Sequence, residues 1–149
     1  MIRRVQQVHD WLWTTEVSPT VTSPQFAVLH TIRAQPDIDQ KTLGDEVSLD
    51  RSTTTEVLKR LTARGLVRRV RDCEDGRRNL LRVTAEGART VERLTPLAVA
   101  MNLKLVGVLD QAQQDEFLRM LNLVVDSDEK LRRGPKSPSP TRGGGSGRG

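Results

Sequence analysis

The residues best suited to chemistry in this sequence are cations and small hydroxyls gathered in one stretch. Between Arg51 and Arg82 the chain has ten basic and four acidic residues. Up to Leu131 the chain is neutral overall, because the formal charge of +5 equals the five basic residues beyond it, where no acidic residue occurs. A local excess of positive charge in a neutral chain is typical of a surface that binds nucleic-acid phosphates.

Many of these side chains lie on the outward side of a predicted helix that Asp50 caps and Gly65 ends. Val57, Leu58 and Leu61 define its buried side. Short hydroxyls let a backbone approach a DNA groove while they offer donors and acceptors to base edges. The predicted DNA contacts are Arg51, Ser52, Thr53, Thr55, Glu56, Lys59, Arg60, Arg64, Arg77 and Arg78. A merely solvated polar face is the alternative for the helix residues, and the hairpin that follows favours DNA binding.

A β-hairpin is predicted after this helix, since the apolar period changes to two over residues 66–71 and a second strand covers residues 77–83. The turn between them is acidic. Asp72 and Asp75 are predicted to structure this turn and to pair with Arg77 or Arg78. One arginine would then project from the tip, where a narrow minor groove attracts a guanidinium. An ordinary surface hairpin with salt bridges is the alternative.

Further helices are predicted from apolar residues at helical spacing and from helix-start signals. They are residues 2–16, a helix that starts at Pro24 with Ser23 as N-cap, residues 40–47 capped by Asp39, residues 86–109, and residues 111–131 with a capping box of Asp110 and Gln113. Two short helices, a tight turn and a hairpin are the order of a winged helix-turn-helix. The predicted fold is mainly α with a small β-hairpin wing and a helical dimerisation region.

The spacing of several motifs carries a family resemblance. They are Ser23-Pro24-Gln25-Phe26, Leu43-Gly44, Leu49-Asp50-Arg51-Ser52-Thr53, Arg60-Leu61, Arg64-Gly65-Leu66-Val67, Asp72-x-x-Asp75-x-Arg77 and Val83-Thr84-x-x-Gly87. In their order and intervals, over roughly residues 1–131, they resemble the MarR family of bacterial transcription regulators. Cys73 departs from the family, which often has proline there.

The resemblance implies one winged helix-turn-helix domain over residues 1–131. Its recognition helix would be residues 50–64 and its wing residues 66–84, with dimerisation through residues 2–16, 86–109 and 111–131. It further implies a homodimeric, ligand-responsive repressor that binds palindromic operators in double-stranded DNA. Residues 132–149 are predicted to be a disordered basic tail, because proline, serine, glycine and arginine replace apolar residues there.

The resemblance also implies a small-molecule effector, often an aromatic acid; an aromatic acid or its thioester is the predicted class. The candidate effector residues are His9, Trp13, His30, Arg33 and Met101. Trp13, His30 and Arg33 together could hold an aromatic carboxylate. Packing is the more frequent role of a tryptophan or histidine beside an apolar helix face.

The sequence offers few residues that would support another class of function. One cysteine, Cys73, allows no disulfide framework and no cysteine-based zinc site within the chain, and no metal or cofactor is expected. Without a glycine-rich phosphate loop or a plausible nucleophile, we expect no enzyme. A cytoplasmic protein with no membrane partner is expected, since neither a signal peptide nor a membrane span is apparent. The alternatives are a winged-helix protein-interaction module and a thiol-based redox-sensing regulator.

Overall fold

The computed structural model describes residues 1–71 and 79–132. In chain order they form α1 (Ile2–Leu12), a π-helical turn (Trp13–Val17), α2 (Ser23–Ala34), β1 (Ile38–Asp39), α3 (Gln40–Glu46), α4 (Arg51–Ala63), β2 (Val67–Arg71), β3 (Asn79–Val83), α5 (Ala85–Val106) and α6 (Gln111–Arg132). One compact unit, Met1–Gly107, contains α1 to α5 and the sheet, and a second begins at Val108 and contains α6. The predicted turn with Asp72, Cys73, Asp75, Arg77 and Arg78 lies outside the described residues, as does the tail from Arg133.

Carboxylates start three of the helices at the predicted positions. Asp39 accepts hydrogen bonds from the backbone N–H groups of Lys41 and Thr42, both at 3.0 Å. Asp50 caps α4 by accepting from the backbone N–H of Thr53 at 2.9 Å. At α6, Gln113 N–H donates to Asp110 Oδ1 at 2.9 Å and Asp110 N–H donates to Gln113 Oε1 at 3.0 Å, which confirms the predicted capping box.

The predicted N-cap of α2 is wrong by one residue. Thr22, not Ser23, has the extended backbone of an N-cap, with φ −71° and ψ 159°. Gln25 N–H donates to Thr22 Oγ1 at 3.4 Å, and Thr22 N–H donates to Gln25 Oε1 at 3.2 Å. This reciprocal capping box satisfies two backbone donors where Ser23 would satisfy one. Pro24 still lies in the first turn, where its missing N–H costs no helical hydrogen bond.

The sheet contains a strand that the sequence did not predict. β2 and β3 pair antiparallel from Val67 opposite Val83 to Arg71 opposite Asn79, and β1 adds to the other side of β3, giving the order β1-β3-β2. Ile38 lies opposite Leu81. β1 has only two residues, too short to show an alternating pattern. The hairpin strands are therefore attached to the body of the unit through β3.

An ion pair holds β1 against β3. Arg82 Nε and Nη2 donate to the two carboxylate oxygens of Asp37, each at 2.5 Å. These hydrogen bonds hold the pKa of Asp37 below its usual range. Asp37 adopts the left-handed backbone conformation, with φ +69°, immediately before β1.

Apolar side chains from α1 to α5, the π-helical turn and the sheet meet in the core of the first unit. Its fully buried side chains include Leu29, Ile32, Leu43, Leu58, Leu61, Leu81, Leu94 and Met101. Two glycines shape the connections around it. Gly65 ends α4 with φ +69°, and a Cβ at Gly87 would lie 2.1 Å from the carbonyl oxygen of Leu66, so α5 starts directly against the backbone that leads into β2.

Several helix positions expose large apolar side chains. On α1 they include Ile2, Val5, Val8 and Trp11, and on α6 Leu118, Leu121, Leu123, Val124 and Val125.

The fifth helix, α5, ends at Val106 rather than near residue 109, since Gly107 is its C-cap. Among the described residues, no helix is long and apolar enough to cross a membrane.

Candidate functional site

Seven exposed residues form the outer face of α4. They are Arg51, Ser52, Thr53, Thr55, Glu56, Lys59 and Arg60. The opposite side is fixed by burial of Val57, Leu58 and Leu61 in the core. Because the core holds one side of the helix, all seven predicted contacts in α4 lie outside the core and are exposed.

Hydrogen bonds within the outer face decide which of its groups stay available. Thr53 Oγ1 donates to Asp50 at 2.7 Å, and these bonds from Thr53 lower the pKa of Asp50. Glu56 accepts from Arg60 Nε at 2.9 Å. The side chains of Arg51 and Lys59, in contrast, make no hydrogen bond or ion pair with any residue that the structure describes. The outer face therefore presents two cations that are unpaired within residues 1–71 and 79–132.

Arg64 is placed differently from the rest of the predicted set. Its Nη1 donates to the carbonyl oxygen of Thr20 at 2.7 Å and lies 3.4 Å from Gln25 Oε1. The guanidinium thus ties the end of α4 to the segment that precedes α2. Its predicted phosphate contact stays a prediction.

A cleft beside the outer face lies between α3, the start of α4 and β2, and we call it the Gln40 cleft. Its volume is about 740 Å³, and its lining includes Lys41, Arg51 and Arg69. Gln40 Nε2 donates to Thr55 Oγ1 at 2.7 Å, and Arg69 Nη2 donates to Gln40 Oε1 at 3.3 Å. One glutamine thereby joins the outer face of α4 to strand β2.

Four rings form an aromatic row along α1, the π-helical turn and α2. Ring centroids are 6.2 Å apart for His9 and Trp13, 5.4 Å for Trp13 and Phe26, and 5.8 Å for Phe26 and His30. Trp13 is 5% exposed, and its indole N–H donates to the carbonyl oxygen of Val21 at 2.7 Å. The aromatic row lines a cavity of about 390 Å³.

A second cavity of about 510 Å³ borders His30 and Thr95, which also line the first one. Arg33 lies in this second cavity, and its Nη2 donates to Glu92 Oε1 at 2.5 Å. The two cavities together offer apolar aromatic walls and one cation that already has a carboxylate partner.

Known proteins resemble the chain in sequence and in fold. The family described as MarR matches residues 21–78. The PcaV transcriptional regulator of Streptomyces coelicolor, solved with its natural ligand, is 46% identical, with 85% of this chain and 90% of that chain covered and a TM-score of 0.81. A mutant of Escherichia coli MarR, solved with operator DNA, is 30% identical, with 83% and 89% covered and a TM-score of 0.76. The chain belongs to the MarR family.

A third relative is the Bordetella bronchiseptica regulator BpsR, whose DNA binding is regulated by 6-hydroxynicotinic acid. It is 26% identical, with 83% of this chain and 95% of that chain covered and a TM-score of 0.75. The recognised family and the mainly helical fold with a small sheet confirm the resemblance and the fold class predicted from the sequence. The members of this family are transcription regulators.

In this MarR-family chain the predicted effector residues do not all meet. His9, Trp13 and His30 share the first cavity, and His30 and Arg33 share the second. Met101 is 1% exposed within the core and lines neither of these two cavities. The aromatic acid site that we propose below therefore omits it.

Sequence reasoning missed Phe26, Gln40, Arg69 and Glu92. Phe26 carries a readable signal, because it lies four residues before His30 on one helix face. Gln40 carries none, since its partners are 15 and 29 residues away in sequence. The Glu92 carboxylate is 59 residues from Arg33, so only the packing of α2 against α5 reveals it.

Proposed function

We propose that this MarR-family regulator binds palindromic operators in double-stranded DNA as a homodimer, represses transcription, and leaves the DNA when it binds an aromatic acid. The observation that carries the proposal is the outer face of α4, where hydroxyls lie beside Arg51 and Lys59, two cations with no partner among the described residues. A second helix of a helix-turn-helix pair enters the major groove with such a face.

Two kinds of contact are expected from that face. Ser52 and Thr53, near the start of α4, are short enough to reach base edges and discriminate sequence. Arg51, Lys59 and Arg60 reach phosphates, which supply affinity but no sequence information. Arg77 and Arg78 are proposed to add wing contacts, with Arg77 in the minor groove.

The exposed apolar side chains of α1 and α6 support the homodimer. A large exposed apolar set marks a surface that another protein covers, and a second copy is the simplest partner in a family of regulators. A two-fold dimer would present its two α4 helices to half-sites about 34 Å apart, one turn of DNA.

Fluorescence anisotropy of the full chain tests the DNA-binding proposal. We expect tight binding to a duplex from the chain's own promoter region, weaker binding to a mixed-sequence duplex, and a steep loss of affinity as salt rises. Ser52→Ala should reduce the preference for the promoter duplex more than the affinity for the mixed one. Equal affinity for both duplexes, or binding that ignores salt, would contradict the proposal.

Sedimentation with anisotropy tests the dimer and the wing. Leu121→Asp places a charge among the exposed apolar side chains of α6 and should give monomers that bind DNA weakly. Arg77→Ala should weaken DNA binding while the protein stays dimeric. Monomers in the Arg77→Ala sample would instead make Arg77 a structural residue.

The proposed effector site is the pair of cavities that share His30 and Thr95. Cavities of this size suit single-ring ligands, the aromatic row can stack on such a ring, and Arg33 can bind a carboxylate. One relative supports this ligand class, since 6-hydroxynicotinic acid regulates the DNA binding of BpsR. PcaV, which was solved with its natural ligand, supports ligand binding in general.

Thermal unfolding with added ligands tests the effector proposal. We expect 6-hydroxynicotinic acid or benzoic acid to raise Tm and to release the promoter duplex, and Arg33→Gln to abolish both effects. A benzoyl thioester, which lacks the carboxylate, separates the two predicted ligand classes. Stabilisation by none of the three compounds would contradict the proposed class.

A further inference from the structure

The Gln40 cleft adds two cations, Lys41 and Arg69, that belong neither to the predicted contacts nor to the outer face of α4. Lys41, Arg51 and Arg69 line it together with two carboxylates, Asp39 and Asp45. Asp39 is turned toward its own helix, where its oxygens accept from the backbone N–H groups of Lys41 and Thr42 and from the hydroxyl of Thr42. The cleft is therefore lined by three cations and two carboxylates, and one of these carboxylates already accepts three hydrogen bonds from its own helix.

The hydrogen bonds of Gln40 fix the orientation of its amide. Thr55 Oγ1 donates its single proton to the carbonyl oxygen of Arg51 at 2.8 Å, so it can only accept from Gln40. The NH₂ group of Gln40 must face Thr55, and its carbonyl oxygen must face Arg69, which has donors only. The opposite orientation would lose both hydrogen bonds.

The backbone of Gln40 is anchored on both sides. It is the first residue of α3, and it directly follows β1, which pairs with β3 in the sheet. Its side chain therefore extends from a point that the sheet and the capped helix both fix. Arg69, in contrast, is exposed on β2 and has a long flexible side chain.

Because the amide of Gln40 is neutral, its hydrogen bond with Arg69 leaves the charge of the guanidinium unchanged. A carboxylate at position 40 would hold Arg69 more strongly, but it would cancel the positive charge of the guanidinium. A neutral carbonyl oxygen restricts the guanidinium and leaves its full charge for an anion. Arg51 and Thr55 belong to both the cleft and the outer face. We therefore expect a duplex that receives α4 to bring its backbone close to this cleft.

We propose that Gln40 is a positioning residue that holds Arg69 at the mouth of the cleft, where Arg69 and Arg51 bind a phosphate of the duplex backbone. The inference rests on the proposed DNA-binding function and adds residues to it from α3 and β2. A guanidinium matches two phosphate oxygens at once, so restricting its position improves the contact.

Salt titration of duplex binding by the full chain tests the role of Arg69. The probe is a mixed-sequence duplex of about 30 base pairs, three helical turns, since phosphate contacts do not depend on sequence. Arg69→Gln should lower affinity about tenfold for each bound subunit, as expected for one charged hydrogen-bonded contact in each. It should also reduce the slope of log K against log salt by about 0.9 for each bound subunit.

A double-mutant cycle tests the positioning role of Gln40. Gln40→Ala should weaken binding in the same direction as Arg69→Gln, and the combined variant should be no weaker than Arg69→Gln alone, because the amide acts through the arginine. Additive losses would mean that Gln40 acts elsewhere and would overturn the positioning role. The matched control is Arg89→Gln, which removes an arginine held by Glu86 at 2.6 Å and should leave the slope unchanged.

A charged variant keeps the test decisive if Gln40→Ala does not fold by circular dichroism. Gln40→Glu retains an oxygen for Arg69 but neutralises the guanidinium, so it should reduce the salt slope as Arg69→Gln does. An unchanged slope in Gln40→Glu would overturn the proposal.

Two further outcomes separate this inference from the proposed function. Wild-type binding with an unaffected Arg69→Gln variant would overturn the phosphate contact alone, and stabilisation of the wild type by inorganic phosphate in that case would assign the cleft to a free anion. A wild-type chain that binds no duplex would overturn both.

Discussion

The outer face of α4 and the two cavities proposed to bind an effector both present arginine, but in opposite states. Arg51 makes no ion pair with any described residue, whereas Arg33 donates to Glu92 at 2.5 Å. An unpaired cation binds a polyanion without first breaking a contact. A paired cation favours a ligand that can replace its carboxylate partner. We therefore expect the cavities to select among anionic ligands, whereas the outer face of α4 can bind any polyanion.

The ion pair between Arg33 and Glu92 is weak enough for a ligand to break it. Its side chains are 37% and 60% exposed, and exposed pairs contribute about 0–1 kcal/mol because solvent screens them. A small aromatic acid whose ring stacks on the aromatic row would therefore need little free energy to displace Glu92 from Arg33.

The largest effect is expected from removing the unpaired cations. Arg51→Gln combined with Lys59→Gln should lower affinity for the promoter duplex about a hundredfold for each bound subunit, since each loses two charged contacts of about 1.5 kcal/mol. Anisotropy at fixed salt measures it. Arg119→Gln, which removes an arginine held by Glu116 at 2.6 Å, is the control, and an equal loss there would show that only total charge matters.

A stability measurement separates the two regions next. Trp13→Phe leaves the carbonyl oxygen of Val21 without its donor, and an unsatisfied buried group costs about 1–3 kcal/mol. Tm should fall by several degrees in thermal unfolding. Ser52→Ala on the exposed face should leave Tm unchanged, and a similar fall in both variants would remove the distinction.

Freeing Arg33 should make the second region resemble the first. In Glu92→Gln the guanidinium loses its carboxylate partner, so the dissociation constant for benzoic acid should fall about fivefold, in line with the worth of one exposed ion pair. Calorimetric titration measures the change. Weaker binding in Glu92→Gln would mean that the carboxylate itself contacts the ligand.

The smallest expected effect is that of acid. Low pH should reduce the stability of the half of the unit that contains α4 and the hairpin strands. Hydrogen bonds lower the pKa of Asp37 and of Asp50, so the stability they contribute is present above the ordinary carboxyl pKa of 3.8 and is lost as pH falls through the lowered folded values. Urea unfolding should show this loss in strongly acid solution. Asp50→Asn and Asp37→Asn should each flatten it, and an unaltered pH dependence in both would refute the assignment.

The features that the sequence predicted involve residues close together in the chain, and the features that it missed involve residues far apart. The caps at Asp39, Asp50 and Asp110 involve neighbours two or three residues away, so their signals are local. Even the error at Ser23 is local, because Gln25 three residues after Thr22 marks the true capping box. The pairing of β1, the Gln40 contacts and the Arg33–Glu92 ion pair depend on which elements meet in space, and no single segment encodes that.

Two glycines described in the fold impose different kinds of selection on this chain. At Gly65 the restriction is the backbone angle, and nothing lies within 4 Å of a Cβ there, so asparagine, which tolerates φ near +69°, is an acceptable replacement. At Gly87 the restriction is space, because any Cβ would meet the carbonyl oxygen of Leu66 at 2.1 Å. In a library that samples every residue under selection for function, position 65 should retain a small set of survivors and position 87 only glycine.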